Sequence, residues 1–228
     1  MKICYVHYMI STDGTYSHEI FEDLYEQIKK SQLLDKLFDI KVVTCGNLKN
    51  LKTDFSKYEK VHHVNHDDDL LSFEFPTLKQ ISKDSNEFDD DSCVLYLHLK
   101  NVSTPNQKTK SKEDWKKRLL DCVVYNHETC IEKLKTYNAV STDFCDTIPK
   151  INGKIPRHYS GNFWWATAKH IKTLPFPDYK ELLKSHGFLV KNRINKNPAA
   201  PQNCNWRYLA EFWIALNDMD EQHNLCSL

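Results

Sequence analysis

The chain has 228 residues, with 31 basic and 31 acidic side chains for a formal charge of zero, 40% hydrophobic residues and 12% aromatics. That apolar content excludes wholesale disorder, and the balanced charge speaks against a dedicated nucleic-acid binder, whose surface needs a basic excess. Only five glycines are present, and no G-x-G-x-x-G or Walker phosphate loop can be placed.

The opening MKICYVHYMISTDG has an apolar stretch but no cleavage-site pattern, and no window reaches the ~20 apolar residues of a membrane span. The chain is therefore expected to be soluble and cytoplasmic, without a transmembrane segment. Its cysteines (Cys4, Cys45, Cys93, Cys122, Cys130, Cys145, Cys204, Cys226) include no C-x-x-C. That spacing argues against a disulfide framework or a zinc knuckle, and most of them are expected to be small buried fillers.

In chain order, residues 2–10 (KICYVHYMI) read as a strand and STDG as a turn. Apolar residues recur at three-to-four spacing over 17–37, which predicts one amphipathic helix with Ser17 as its N-cap. FDIKVVTC is the next strand, so the opening forms a βαβ unit of a parallel sheet. Residues 47–60 are lysine-rich and aperiodic. VHHV is a short third strand ending at His66, Asp67, Asp68 and Asp69, and residues 74–86 are helical. After Asp89, Asp90 and Asp91, SCVLYLHLK is the best central strand, because Val94 to Leu97 form a continuous apolar run. Residues 101–112 read as a basic polar loop, 115–134 as a second long helix, 137–148 as strand, 148–156 as a proline-bracketed turn and 206–217 as a final helix. Repeats and linkers are absent, so the prediction is a single α/β domain: a mixed sheet flanked by helices, with ligands at the carboxyl ends of its strands.

Three constellations bear chemistry. His98 and Lys100 end the central strand, with Ser103, Thr104, Lys108 and Lys110 in the following loop. They are either point charges for a diphosphate or a core histidine beside a solvated lysine. Arg157 to Trp165 sets His158, Ser160 and Asn162 beside Phe163, Trp164 and Trp165. Amides next to ring faces suit sugars, and consecutive aromatics also suit a core. Arg207 and Glu211 share one helix face near Trp213. They form either an i,i+4 pair or a carboxylate general base in an aromatic cleft. The run Asp67 to Asp69 near His62, His63 and His66 is either a solvated loop or a place for Mg²⁺ or Mn²⁺, the latter opening a metal-hydrolase reading.

The segments CYVHYMI, E-x-x-T-L (Glu74 to Leu78), Y-L-H-x-K (Tyr96 to Lys100), W-x-x-x-L-L-D-C-V (Trp115 to Val123), H-Y-S-G-N-F-W-W-A (His158 to Ala166) and R-x-x-x-E-F-W-I (Arg207 to Ile214) occur in this order. Together they span nearly the whole chain, which resembles a family of small glycosyltransferase-like proteins of large DNA viruses and bacteria. The resemblance implies a GT-A-like (Rossmann-like) fold. A nucleotide-sugar-binding half would occupy about residues 1–110, and an acceptor-side half about 111–228. Many GT-A enzymes carry Asp-x-Asp where His98 and Lys100 stand here, so a divalent metal, Mn²⁺ or Mg²⁺, is left open and no metal ligand is assigned.

On this resemblance the expected activity is transfer of a hexose or deoxyhexose from a UDP-, GDP- or TDP-sugar to a sugar hydroxyl of a glycan acceptor. If the chain is viral, its place would be the host cytoplasm or the virion. Glu211 and His158 would be catalytic, with Glu211 taking the acceptor proton. His7, Tyr8, His98, Lys100, Ser160 and Asn162 would bind the donor, and Trp164, Trp165 and Arg207 the acceptor. The alternative is a non-catalytic glycan- or nucleotide-binding module on the same fold.

Overall fold

The computed structural model describes residues 1–100, 102, 109–145, 158–190, 206–219 and 225–228. The expectations at Ser103, Thr104, Lys108, Arg157 and the turn over 148–156 lie outside these residues. β1 (Lys2–Met9) leads to α1 (Thr15–Lys30), α2 (Leu33–Lys36), β2 (Asp39–Cys45), β3 (Val61–Asp67), α3 (Phe75–Ser85) and β4 (Cys93–His98). α4 (Lys110–Leu120) runs through a π-helical segment, Asp121–Tyr125, into α5 (His127–Lys133). Then come β5 (Ala139–Ser141), β6 (Phe144–Cys145), β7 (His158–Tyr159), β8 (Trp164–Thr167), α6 (Ala168–Thr173), α7 (Tyr179–His186), α8 (Arg207–Phe212) and β9 (Leu225–Ser227).

The architecture is α/β: a mixed seven-stranded sheet in the order β3-β2-β1-β4-β8-β5-β9, flanked by helices, with β6 and β7 paired separately. β1 to β4 are mutually parallel, β8 is antiparallel to β4 and β5, and β9 runs parallel to β5. From β1 the chain first builds outward to β2 and β3, then returns through α3 to place β4 on the other side of β1. The strand order therefore reverses between β1 and β4, and their carboxyl ends flank the crevice where open α/β sheets hold ligands. No helix among the described residues is long and apolar enough to cross a membrane.

Local physics shifts several predicted boundaries. The helix expected over 17–37 starts two residues earlier, behind Gly14 at φ 74°, and breaks at Gln32, which takes φ 61°. Ser17 is not its cap. It is buried inside α1, donating to the Met9 carbonyl at 2.9 Å and accepting from the Ser11 N–H at 2.6 Å, so it ties the helix to the end of β1. Gly14 is required there, since a Cβ would lie 1.6 Å from the Asn50 carbonyl oxygen. The second long helix begins at Lys110, with Thr109 as the N-cap accepting from the Lys112 N–H. The strand expected over 137–148 is interrupted at Asp143, where φ is 53°.

Side chains alternate across the sheet into two cores. On one face Cys4, Val6, Tyr8, Leu95, Leu97 and Trp165 pack under α1 and the α4–π–α5 rod. On the other, Ile3, Tyr5, Val94, Tyr96 and Trp164 pack under α3, α6, α7 and α8. The α3 face also carries buried polar pairs. Asp84 accepts from the Tyr5 hydroxyl and from Lys41 Nζ, each at 2.6 Å, and Lys41 Nζ sits 5.6 Å from the Tyr5 ring centre. Deleting that carboxylate strands a largely buried ammonium and a hydroxyl. Asp84→Ala is expected to cost roughly 3 kcal/mol of unfolding free energy, read from urea denaturation. A loss below ~1 kcal/mol would show that solvent replaces the carboxylate.

Candidate functional site

The register of β1 and β4 pairs His7 with His98, so both imidazoles stand side by side on the α3 face near the carboxyl edge. α3 faces them with Thr77, whose Oγ1 lies 2.9 Å from His7 Nδ1. The helix begins behind Glu74, a largely buried carboxylate with 18% of its side chain exposed. Glu74 and Thr77 are three residues apart, the spacing that puts two side chains on one helix face.

Glu74 organises the site. Its Oε2 accepts from the Tyr96 hydroxyl at 2.8 Å and from Asn162 Nδ2 at 2.5 Å, while its Oε1 is 3.9 Å from His98 Nε2. His98 Nε2 also donates to the Gly161 carbonyl at 3.0 Å. Asn162 in turn accepts from Trp164 Nε1 at 2.9 Å and donates to the Ala210 carbonyl of α8 at 3.3 Å. The turn that delivers these groups has two successive left-handed residues, Gly161 at φ 95° and Asn162 at φ 52°. Asparagine tolerates that conformation, and at Gly161 a Cβ would lie 2.7 Å from Leu119 Cδ1 and 2.9 Å from Trp115 Cζ2.

The charges follow from burial and proximity. Burial raises the Glu74 carboxyl, but His98, Lys100, His7 and the Tyr96 hydroxyl outweigh it and hold the group at about 2. Burial also drives the imidazoles down, His7 to about 4 and His98 to about 3, against the pull of Glu74. Both histidines are thus neutral at physiological pH, and Lys100 is the cation that balances Glu74. Its ammonium is lowered to about 8, by burial first and by Arg207, with Glu74 and Glu211 pulling the other way. Lys100 Nζ lies over the rings of Trp115 and Phe163, at 4.8 and 5.3 Å from their centres.

Several expected site residues come together here. His7, His98 and Lys100 join Glu74, and the Arg207–Glu211 end of α8 lies within electrostatic reach of Lys100. The Arg207 guanidinium stacks near Phe73 and Tyr208, at 5.8 and 5.1 Å.

Others need correction. Tyr8 is fully buried on the opposite face, bonded to Thr53 at 2.7 Å among Phe21 and Phe55, and cannot frame a nucleotide base. Trp164 and Trp165 are fully buried on opposite faces, with Trp165 Nε1 donating to the Val123 carbonyl at 2.8 Å. Neither indole offers a ring to an acceptor, because consecutive strand residues point to opposite faces and both of these faces are covered. Asn162 is 1% exposed and its amide is committed to internal partners. It holds the site together rather than touching a donor. His158 is buried edge-on against Phe212 at 4.8 Å, and Ser160 is half-buried in the turn.

The residues missing from the sequence reading of the site are Glu74, Thr77 and Tyr96, although E-x-x-T preceding a helix and the tyrosine of Y-L-H-x-K were visible. For a divalent metal, the strand end supplies an imidazole and an ammonium, a poor donor set for a hard cation. Among the described residues, no group of three or more His, Cys, Asp or Glu side chains is arranged to hold a metal ion.

Folding lowers the proton affinity of His7, His98 and Glu74, so protons favour the unfolded chain. The histidine contribution is complete above about pH 6.5 and fades as pH falls toward 4 to 3, while that of Glu74 fades from about 4.5 toward 2. Thermal melts between pH 7 and 4 are expected to show a steadily falling midpoint, with a shallower slope in His98→Gln. An unchanged slope in that variant would remove His98 from the account.

No curated protein sequence matches this chain. Among solved structures, it is similar to the crystal structure of Francisella tularensis 2-C-methyl-D-erythritol 4-phosphate cytidylyltransferase (IspD), at 9% identity and a TM-score of 0.37, covering 99% of this chain and 89% of that one. The pattern of a domain of unknown function, DUF8361, matches residues 5–217, from the middle of β1 into the 3₁₀-helical segment Trp213–Met219 that follows α8. The chain belongs to the DUF8361 family.

Proposed function

We propose that this protein is a glycosyltransferase that moves a hexose or deoxyhexose from a nucleotide-diphosphate sugar to a sugar hydroxyl. The observation that carries the reading is Lys100. It is a lysine with lowered proton affinity, backed by two aromatic rings, at the strand-order reversal between β1 and β4. A chain without a glycine phosphate loop needs a point charge of this kind to neutralise a leaving diphosphate.

In this mechanism Lys100 receives the diphosphate and Arg207 contacts the acceptor. Glu211 takes the proton of the attacking acceptor hydroxyl. Glu74 is ionised and bound to internal donors, so it positions the cation and does not act as the base. His98 is neutral and donates Nε2–H to Gly161, which fixes the turn. A nucleotide-binding module without catalysis is the second reading. It is favoured by His98 and Lys100 standing at the end of β4 where many GT-A enzymes carry Asp-x-Asp, and by the commitment of Asn162 and Trp164 to the interior.

Calorimetry against UDP, GDP and TDP, with and without Mn²⁺, is expected to show binding of one nucleotide. That binding should weaken from about pH 8 upward as Lys100 loses its proton, and Lys100→Met should abolish it. Incubation with a panel of nucleotide-sugars and sugar acceptors should release free nucleoside diphosphate, and Glu211→Gln should stop release while nucleotide binding persists. Binding without release for every donor would establish the module instead, and binding of no nucleotide would end both readings.

A further inference from the structure

Outside the Glu74 cluster, a concavity lies on the other side of the sheet, between α1 and the α4–π–α5 rod. One part encloses about 450 Å³ and is lined by Asp23, Gln27, Glu113, Lys116, Asp121 and Tyr125, among others. This is within the roughly 300 to 1,000 Å³ range of small-molecule sites. A second part of about 190 Å³ shares Asp23, Glu113 and Lys116 and extends past Tyr16 to Lys100. The two adjoin at those shared residues, and Lys100, the cation of the proposed donor site, lines the second; together they are treated as one groove.

Its wall is a hydrogen-bonded polar ladder. Lys116 Nζ meets Asp23 at 2.7 Å across the helices, Gln27 Nε2 donates to Asp23 at 3.1 Å, and the Tyr125 hydroxyl donates to Gln27 Oε1 at 2.6 Å. Carboxylates and ammoniums alternate, so neither a polyanion nor a polycation is favoured. The ladder offers closely spaced donors and acceptors, the pattern that matches hydroxyl groups.

Tyr125 supplies the second requirement. Tyr125 is 42% exposed, yet its hydroxyl is anchored on Gln27, leaving an aromatic face in the part of the groove that does not reach Lys100. The π-helical segment puts it there. The Asn126 N–H bonds to the Asp121 carbonyl five residues back, and one inserted residue of this kind rotates the later side chains by about 100° round the helix axis. A wider helical turn costs hydrogen-bond geometry and recurs at functional sites. Here it carries Asp121 and Tyr125, both of which line the groove.

We infer that the groove between α1 and the α4–π–α5 rod binds an oligosaccharide, with one sugar against Tyr125 and the chain running along the Asp23–Gln27–Lys116 ladder toward Lys100. As the seat of the acceptor, this deepens the transferase reading and rests on it. It also replaces the buried tryptophans as the acceptor contact. A neutral polyol chain fits the mixed charges, and the two adjoining parts give room for more than one sugar.

The test uses the full chain, fluorescently labelled, on a printed array of oligosaccharides and their constituent monosaccharides, with calorimetry against UDP, GDP and TDP on the same samples. Some oligosaccharides should bind and their monosaccharides should not. Tyr125→Ala should weaken that binding about tenfold, and Tyr125→Phe, which keeps the ring, should largely retain it. Nucleotide binding should be unchanged in both variants. Absence of oligosaccharide binding, or Tyr125→Ala binding as well as the parent, overturns the groove assignment even if nucleotide binds. Oligosaccharide binding that depends on Tyr125, in a chain that binds no nucleotide, supports the groove and overturns the transferase reading.

Discussion

An ionised carboxylate can be kept largely out of water only where donors and a counter-charge are already in place, and Glu74 sets that condition for the whole carboxyl edge of the sheet. It is met by parts distant in sequence: Tyr96 from β4, Asn162 from the turn before β8, and Lys100 beyond β4. Asn162 extends the requirement to Trp164 and to the α8 backbone at Ala210. One side chain at the start of α3 thereby registers a parallel strand, an antiparallel strand and a late helix against one another. The two left-handed residues at Gly161 and Asn162 serve this arrangement, since their turn delivers both the amide for Glu74 and the carbonyl for His98.

The two faces of the sheet divide the work. Under α1 and the long rod the packing is largely apolar, with Phe21, Phe55 and Tyr8 meeting at tilted or edge-on angles. Under α3 the carboxyl ends of β1 and β4 carry polar side chains, and burial turns His7 and His98 into neutral hydrogen-bonding groups rather than charges. Lys100 lies where the faces meet, held electrostatically by Glu74 and Glu211 while its ammonium rests on Trp115 and Phe163. That position puts it at the strand ends and also in the lining of the groove along α1.

How much of the molecule is legible in the sequence depends on how local each signal is. The βαβ opening and the central strand were legible because continuous apolar runs and helical spacing are properties of short windows. The break at Gln32 and the π segment were not, because a left-handed residue without glycine and an inserted turn leave no periodic trace. Within the site, His98 and Lys100 could be placed by their position at a strand end. The role of Glu74 could not, because it depends on Asn162, 88 residues away. The tryptophans misled for a physical reason: a ring suited to a sugar is equally suited to a core, and only the covering helices decide between them.

The rim of the crevice beside β1 has a further property. Gly14 fits against the Asn50 backbone with no room for a side chain, and Ser17 and Ser11 lock the same loop to the end of the strand. A ligand arriving there meets a wall already set in its final shape, so little chain freedom is surrendered on contact along that side. For the proposed donor, selectivity on the β1 side would accordingly be a matter of steric match to a rigid template.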